Sequence, residues 1–320
     1  MSPPRGCAGP VPEPCASTAV SVRGVSKWFG SVVAVSGVSF DLEPGVSALL
    51  GPNGAGKSTL MRLMAGLARP SAGQVLIFGV DPRSDPEVFA RVGISPQQEG
   101  LLERQRALEF VTLAAALQRL PEPQQRAATS LRNVGLDPGD PRPLRQYSKG
   151  MRQRVKLAQA LVNEPDLVFL DEPMEGLDPR QRLAAIELLE GLAAAGKTVV
   201  VSSHVLAEVE RFACRVLVVA QGRLLAEGPA PAIRDLLADQ PRRFRVITDR
   251  PGALAGELVA CGLASSVSLL GDAVELASTD ARALRVGVAG AARRCGARLF
   301  GLTPLDEDLE SVFGYLVGRR

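Results

Sequence analysis

Gly51-Pro52-Asn53-Gly54-Ala55-Gly56-Lys57-Ser58-Thr59 fits the phosphate-binding pattern G-x-x-x-x-G-K-[ST]. Just before it, Val46-Ser47-Ala48-Leu49-Leu50 is a short apolar run that reads as a buried strand. Just after it, Leu60, Leu63, Met64 and Leu67 recur at helical spacing. Strand, glycine loop and helix are the context in which the pattern works. Glycines let successive backbone N–H groups turn inward around a phosphate, and the helix N-terminus adds partial positive charge. Lys57 can then reach the outer phosphates, and the Ser58 hydroxyl can ligate Mg²⁺.

Working outward from that loop, Val20 to Phe29 alternates apolar and polar residues, turns at Gly30-Ser31, and is followed by a second alternation at Val38, Phe40 and Leu42. Two such strands predict an antiparallel layer beside the loop. Trp28 and Phe29 lie at the tip of the first strand, where a ring either stacks on a base or packs under the turn. Downstream, Gln74 to Phe78 and Val92 to Ser95 read as strands, with a short helix opened by Asp85-Pro86 between them. The second strand leads into Pro96-Gln97-Gln98. Helices follow over Glu103 to Leu120, Gln124 to Leu136, and from Ser148 through Leu161. The last begins with Lys149, Arg152, Arg154 and Lys156, a cluster read as a solvated or interface-forming helix start rather than a nucleic-acid surface.

Leu167-Val168-Phe169-Leu170 is a buried strand that ends in two carboxylates, Asp171 and Glu172. In open α/β sheets ligands lie at the carboxyl ends of strands, so these acids belong near the phosphates. Adjacent acids at a strand end diverge, one toward a metal and the other toward an attacking water. Phosphoryl transfer needs just such charge neutralisation and a positioned nucleophile. Asp178-Pro179 opens another helix, stopped by Gly196, and Thr198 to Val201 forms a further strand that delivers Ser202-Ser203-His204. His204 is the only histidine. A hairpin around Gln221-Gly222 and a helix over Pro231 to Ala238 complete this part. From about Arg242 a β-α-β-β-α-β-α order predicts a small separate layer, its last helix running from Pro304 to Val317.

With these residues in hand, the chain resembles the ATP-binding subunits of ABC transporters over about residues 20–240. Gly51 to Thr59 looks like the family's Walker A, and Leu167 to Asp171 with Glu172 like its Walker B and catalytic glutamate. Gln97 matches the Q-loop, Gly176-Leu177-Asp178 the D-loop, and His204 the switch histidine. Tyr147-Ser148-Lys149-Gly150-Met151-Arg152-Gln153-Arg154 corresponds to the signature, with Lys149 in place of a glycine and Met151 where glutamine is common. Glu175 replaces the small residue common in the D-loop. Similar variants resemble the branch that exports drugs, polyketides or polysaccharides, as does the ending Leu309-Glu310-Ser311-Val312-Phe313.

The resemblance implies an α/β fold: a P-loop NTPase core of ABC type with an antiparallel β layer, a helical subdomain at about 98–163, and a small α+β C-terminal domain. The expected division is a disordered tail over 1–18, an ATPase domain over 19–240 and an accessory domain over 241–320. It also implies ATP and Mg²⁺ as cofactors. Gly51, Pro52, Asn53, Gly54, Ala55, Gly56, Lys57, Ser58 and Thr59 would bind phosphates. Ser58, Gln97 and Asp171 would hold the metal, Glu172 would polarise water, His204 would sense the γ-phosphate, and Phe29 would stack on adenine. Ser148 and Gly150 would complete the site of a second copy in a head-to-tail homodimer, and Asp178 of the D-loop would be among the nucleotide-binding residues.

Composition bounds the partners. No apolar run approaches the ~18 residues of a membrane span, so transport would need a separate multi-span permease, with this subunit at the cytoplasmic face of the membrane. A net charge of +3 is too small to argue for nucleic acid, and none is expected as a partner. Cys7, Cys15, Cys214, Cys261 and Cys295 are scattered without metal-ligand spacing and read as thiols in a reducing compartment. Two other classes are distinguishable. A soluble ABC-type ATPase acting on nucleic acid or ribosomes would carry tandem cassettes or a basic arm. A module that uses ATP only to dimerise would lack Glu172 and His204.

Overall fold

A computed structural model describes residues 18–97, 100–233 and 242–305. Three sheets organise them. The antiparallel layer has the order β2-β1-β4, with β1 spanning Val20–Phe29, β2 Val32–Leu42 and β4 Ala72–Ile77. β2 begins six residues before the alternation at Val38, because its pairing with β1 continues through irregular register to Phe29↔Val32. The central sheet runs β5-β6-β7-β3-β8-β9. Its strands are β5 (Val92–Ser95), β6 (Leu167–Asp171), β7 (Thr198–Ser203), β3 (Gly45–Leu50), β8 (Arg215–Ala220) and β9 (Arg223–Gly228). β5, β6 and β7 pair in parallel, and β8 and β9 form the antiparallel edge.

The reason for parallel pairing is visible in the side chains. Leu167 to Leu170 and Val199 to Val201 are buried on both faces, which suits strands covered by helices above and below. Fully burying each such side chain contributes about 1.5–3 kcal/mol. β3 is equally apolar through Val46 to Leu50, so the loop that follows is held by a strand inside the core.

Helix boundaries differ from the sequence pattern where tertiary hydrogen bonds compete. Helix α2 is Ala107–Leu117, shorter than Glu103 to Leu120. Its expected first turn is instead used as an acceptor edge: Leu144 N–H donates to Gln105 O at 2.8 Å and Arg145 N–H to Glu103 O at 3.0 Å. The Glu109 carboxylate then accepts from the Arg106 backbone N–H at 2.9 Å and fixes the helix start there. Helix α3, Pro123–Asn133, stops before Leu136 because the Leu136 N–H folds back to Leu131 O at 2.9 Å, a C-terminal cap that ends in Gly135. The Asp85-Pro86 element is a short 3₁₀ turn, Pro86–Arg91, with the Asp85 side chain accepting from Glu87 N–H.

By contacts the described chain divides into two compact units: residues up to Ala48 with Gly56–Ser202, and Leu49–Ala55 with the residues from Ser203 on. In the first, α4 (Lys149–Leu161) and α5 (Pro179–Ala194) join α2, α3 and the helix α1 (Lys57–Met64). In the second, β10 (Arg242–Thr248), β11 (Ser266–Leu270), β12 (Ala273–Ser278) and β13 (Leu299–Pro304) form an antiparallel sheet of order β11-β12-β10-β13. Phe244, Val246 and Leu276 from this sheet pack with Leu254, Leu258, Leu284 and Val288 of the helices Pro251–Ala260 and Ala281–Arg294. Pro304 pairs with Phe244 at the end of β13, so it closes a strand where the sequence pattern starts a helix. The remainder of that helix, most of the one predicted over Pro231 to Ala238, and the tail before Thr18 lie outside the described residues.

Candidate functional site

The phosphate-loop sequence leaves β3 at Gly51. A Cβ at this position would stand 2.1 Å from Val219 O, so only glycine allows the loop to start against β8. Gly51 N–H donates to Ser203 O at 3.3 Å, and Gly222 N–H to Ala55 O at 2.9 Å, tying both ends of Gly51 to Ala55 to neighbouring backbone. Gly56, with φ at +101°, caps α1, whose first residues are Lys57 and Ser58.

Lys57 and Glu172 form the centre of the site. Both are buried, at 6 % and 9 % side-chain exposure, and Lys57 Nζ lies 3.6 Å from Glu172 Oε1. Glu172 sits one residue past β6 with φ at +50°, a left-handed conformation that costs energy for a residue with a Cβ. The Ser202 hydroxyl bridges the two acids: its Oγ accepts from Glu172 N–H at 2.8 Å and donates to Asp171 Oδ1 at 2.5 Å. No sequence motif marks Ser202. A fully buried serine closing an apolar strand beside the two acids is the available signal, but its partners lie 30 and 31 residues away.

Beside these acids is a cavity of about 30 Å³, lined by Ser58, Ser95, Pro96 and Asp171 over an apolar floor that includes Met61 and Phe169. The Ser95 hydroxyl is buried there without a hydrogen-bond partner. Such space holds about one water-sized group when polar partners surround it. Two hydroxyls and a carboxylate are hard oxygen donors, the chemistry that Mg²⁺ takes. These residues therefore fit the expected cation. Gln97 follows two residues after Ser95, and its carbonyl accepts from Lys156 Nζ at 3.0 Å.

A second cluster gathers Ser148, Gly150 and Asp178. Ser148 caps α4, its Oγ accepting from Met151 N–H at 3.2 Å, and Asp178 caps α5 by accepting from Gln181 N–H at 2.9 Å. Gly150 is buried against Gln181 and Gly176. Just before the cap, Tyr147 is buried, and burial and then Asp140 push its hydroxyl up to about 12. Hydrogen bonds from Arg142 in turn hold Asp140 down to about 2. Of the basic residues of α4, Lys149 is exposed, Arg152 and Arg154 are half-buried and Lys156 is buried, and the last two act as tethers to Gly135 and Gln97. Lys156 is buried on Gln97 O, and Arg154 donates to Gly135 O at 2.9 Å.

The remaining expected residues lie at element ends. His204 is exposed and follows Ser203, the residue bonded to Gly51. Trp28 and Phe29 are 47 % and 56 % exposed, so neither ring packs under the turn. Lys27 Nζ lies 4.9 Å from the Phe29 ring centre.

The ABC transporter family profile matches residues 35–175. An uncharacterised ABC transporter ATP-binding protein of Nostoc sp. is 44 % identical over 65 % of the chain, which spans 63 % of that relative's length. The daunorubicin resistance ATP-binding protein DrrA3 of Streptomyces coeruleorubidus is 34 % identical over 95 % of the chain and 97 % of its own length. The Nod factor export ATP-binding protein I of Burkholderia lata is 33 % identical over 94 % of the chain and 97 % of its own length. Among solved structures, a dimeric ATP-binding cassette in a post-hydrolysis state, bound to ADP and Pi, superposes with a TM-score of 0.61. It is 29 % identical, over 66 % of the chain and 98 % of that structure. The chain belongs to the ATP-binding subunits of ABC transporters, and is an ATPase of that family with its α/β cassette fold. Among the described residues, no helix is long and apolar enough to cross a membrane.

Proposed function

We propose that this chain hydrolyses ATP as a head-to-tail dimer around Mg-ATP and powers a separate membrane permease of exporter type. The cargo class is a drug or another small hydrophobic or polyketide-like compound. The observation that carries the chemistry is the buried Lys57–Glu172 pair beside Asp171 and Ser202. The loop amides from Gly51 to Gly56 and the Lys57 ammonium would bind phosphate oxygens, with Thr59 next along α1. Ser58, Asp171 and Gln97 would hold Mg²⁺, which when bound neutralises charge on the phosphates. Glu172 would orient the attacking water and take its proton at a carboxylate oxygen. His204 would donate to the γ-phosphate, and the exposed Phe29 ring would stack on adenine. The exporter reading is supported by likeness to the drug-resistance and Nod factor export proteins along most of the chain. It also places the subunit peripherally on the inner face of the membrane.

Ser148, Gly150 and Asp178 gather at two helix starts, an arrangement that supports Ser148 and Gly150 completing the site of a second copy. ATP is therefore expected to dimerise the Glu172→Gln variant, and Ser148→Arg in that background to abolish dimerisation by adding bulk and charge at the contact. Analytical ultracentrifugation with and without ATP reads this. Cooperative thermal unfolding of the Ser148→Arg protein separates a blocked contact from loss of the cap, which costs about 1 kcal/mol. Monomers in ATP for the Glu172→Gln protein would refute the shared site.

The division at residues 240 and 241 belongs to the same proposal. β10 to β13 and their two helices own a core, and none of the phosphate, metal or water-positioning residues lies after His204. Residues 1–240 alone are expected to be soluble, to unfold cooperatively and to bind Mg-ATP as the full chain does, with turnover in the presence of permease altered. Aggregation of that truncation would move the boundary.

A further inference from the structure

We propose that Lys149 and Glu175 clamp the D-loop to the start of the signature helix, so that both reach the second copy as one unit; this rests on the shared-site reading above. Two of the three positions at which this chain departs from the common signature and D-loop residues, Lys149 and Glu175, meet in space. Lys149 Nζ lies 2.6 Å from Glu175 Oε1, across 26 residues of sequence. The stem of Lys149 crosses Gly176: a Cβ there would stand 2.7 Å from Lys149 Cδ and 2.8 Å from Cγ, at a φ of +76°. On the next residue, a Cβ on Gly150 would stand 2.5 Å from Gln181 Oε1 and 3.1 Å from Gly176 O. The first turn of α4 is therefore seated on the backbone of Gly176 by a side chain, an ion pair and a glycine contact.

Electrostatics give the pair a reason. Lys149 is the first residue of α4, where the helix dipole disfavours a cation, and the Glu175 carboxylate offsets that charge. Both groups are exposed, at 56 % and 44 %, so the pair adds little to global stability and its consequence is local geometry. Within the turn, Glu175 N–H donates to Glu172 O at 3.2 Å and Leu177 N–H to Met174 O at 3.3 Å, both long bonds. Ser148 and Gly150 flank Lys149, so a clamp at Lys149 fixes the two residues assigned to the second copy's phosphates. Lys149 is thus a positioning residue.

Lys149→Met keeps most of the stem and removes the charge; Glu175→Gln does the same on the other side. In the full chain without nucleotide, each is expected to speed amide exchange at Glu175 and Leu177 about three- to fivefold, and the double variant no further. In the Glu172→Gln background the same substitutions weaken ATP-dependent dimerisation by a similar factor, while binding of ATP to the monomer stays unchanged. Exchange identical to that of the unsubstituted chain, or additive effects in the double variant, would overturn the clamp. Failure of Glu172→Gln alone to dimerise would instead overturn the shared site on which the role rests, and the exchange rates would still judge the ion pair.

Discussion

Glu172→Gln is expected to bind ATP and to lose turnover by about 10²–10⁴-fold, the range supplied by a positioned general base. The backbone geometry supports an isosteric replacement, because the Ser202 hydroxyl holds Glu172 through its N–H rather than through its carboxylate. What the amide lacks is an oxygen able to accept a proton from water. Removing this negative charge 3.6 Å from Lys57 also lowers repulsion against incoming phosphates, so affinity should be equal or tighter. Phosphate release at saturating ATP, alongside equilibrium binding, separates the two effects. Turnover within a few-fold of the unsubstituted chain would remove Glu172 from the chemistry.

Lys57→Ala should lower ATP affinity about 10- to 150-fold, the equivalent of a charge-assisted hydrogen bond of about 1.5–3 kcal/mol. The same substitution withdraws a cation from the buried Glu172 carboxylate, and breaking a buried pair is destabilising. The two consequences come apart in a double variant. Lys57→Ala with Glu172→Gln should recover thermal stability and still bind poorly. A fluorescent ATP analogue whose affinity is unchanged by Lys57→Ala would count against phosphate capture by this loop.

Local patterns were legible in the sequence, and long-range pairings were not. Val46 to Leu50, the glycines and Lys57 are consecutive, so their strand, loop and helix follow from neighbours alone. Leu167 to Asp171 is legible for the same reason, since a short apolar run has little choice but a buried strand. The start of α2 was not legible, because Leu144 and Arg145 claim the carbonyls of Gln105 and Glu103 from some 40 residues away. Ser202 is illegible for a similar reason: a serine after valines says nothing of the turn it holds on another strand. The basic run on α4 looked like one face, yet Lys149, Arg154 and Lys156 each reach a different segment.

That last arrangement makes α4 a rigid link. Its 13 residues form a rod about 20 Å long, pinned at one end to Glu175 and Gly176 and, seven residues on, to the carbonyl of Gln97. The two pins are about 10 Å apart along the axis. Arg154 on Gly135 O and the Ser130 hydroxyl on Ala158 O hold the same helix between and beyond those pins, so the rod is fastened along its length. A displacement of the Gln97 segment would therefore reach Ser148 through the helix as one body, along the span between two lysines.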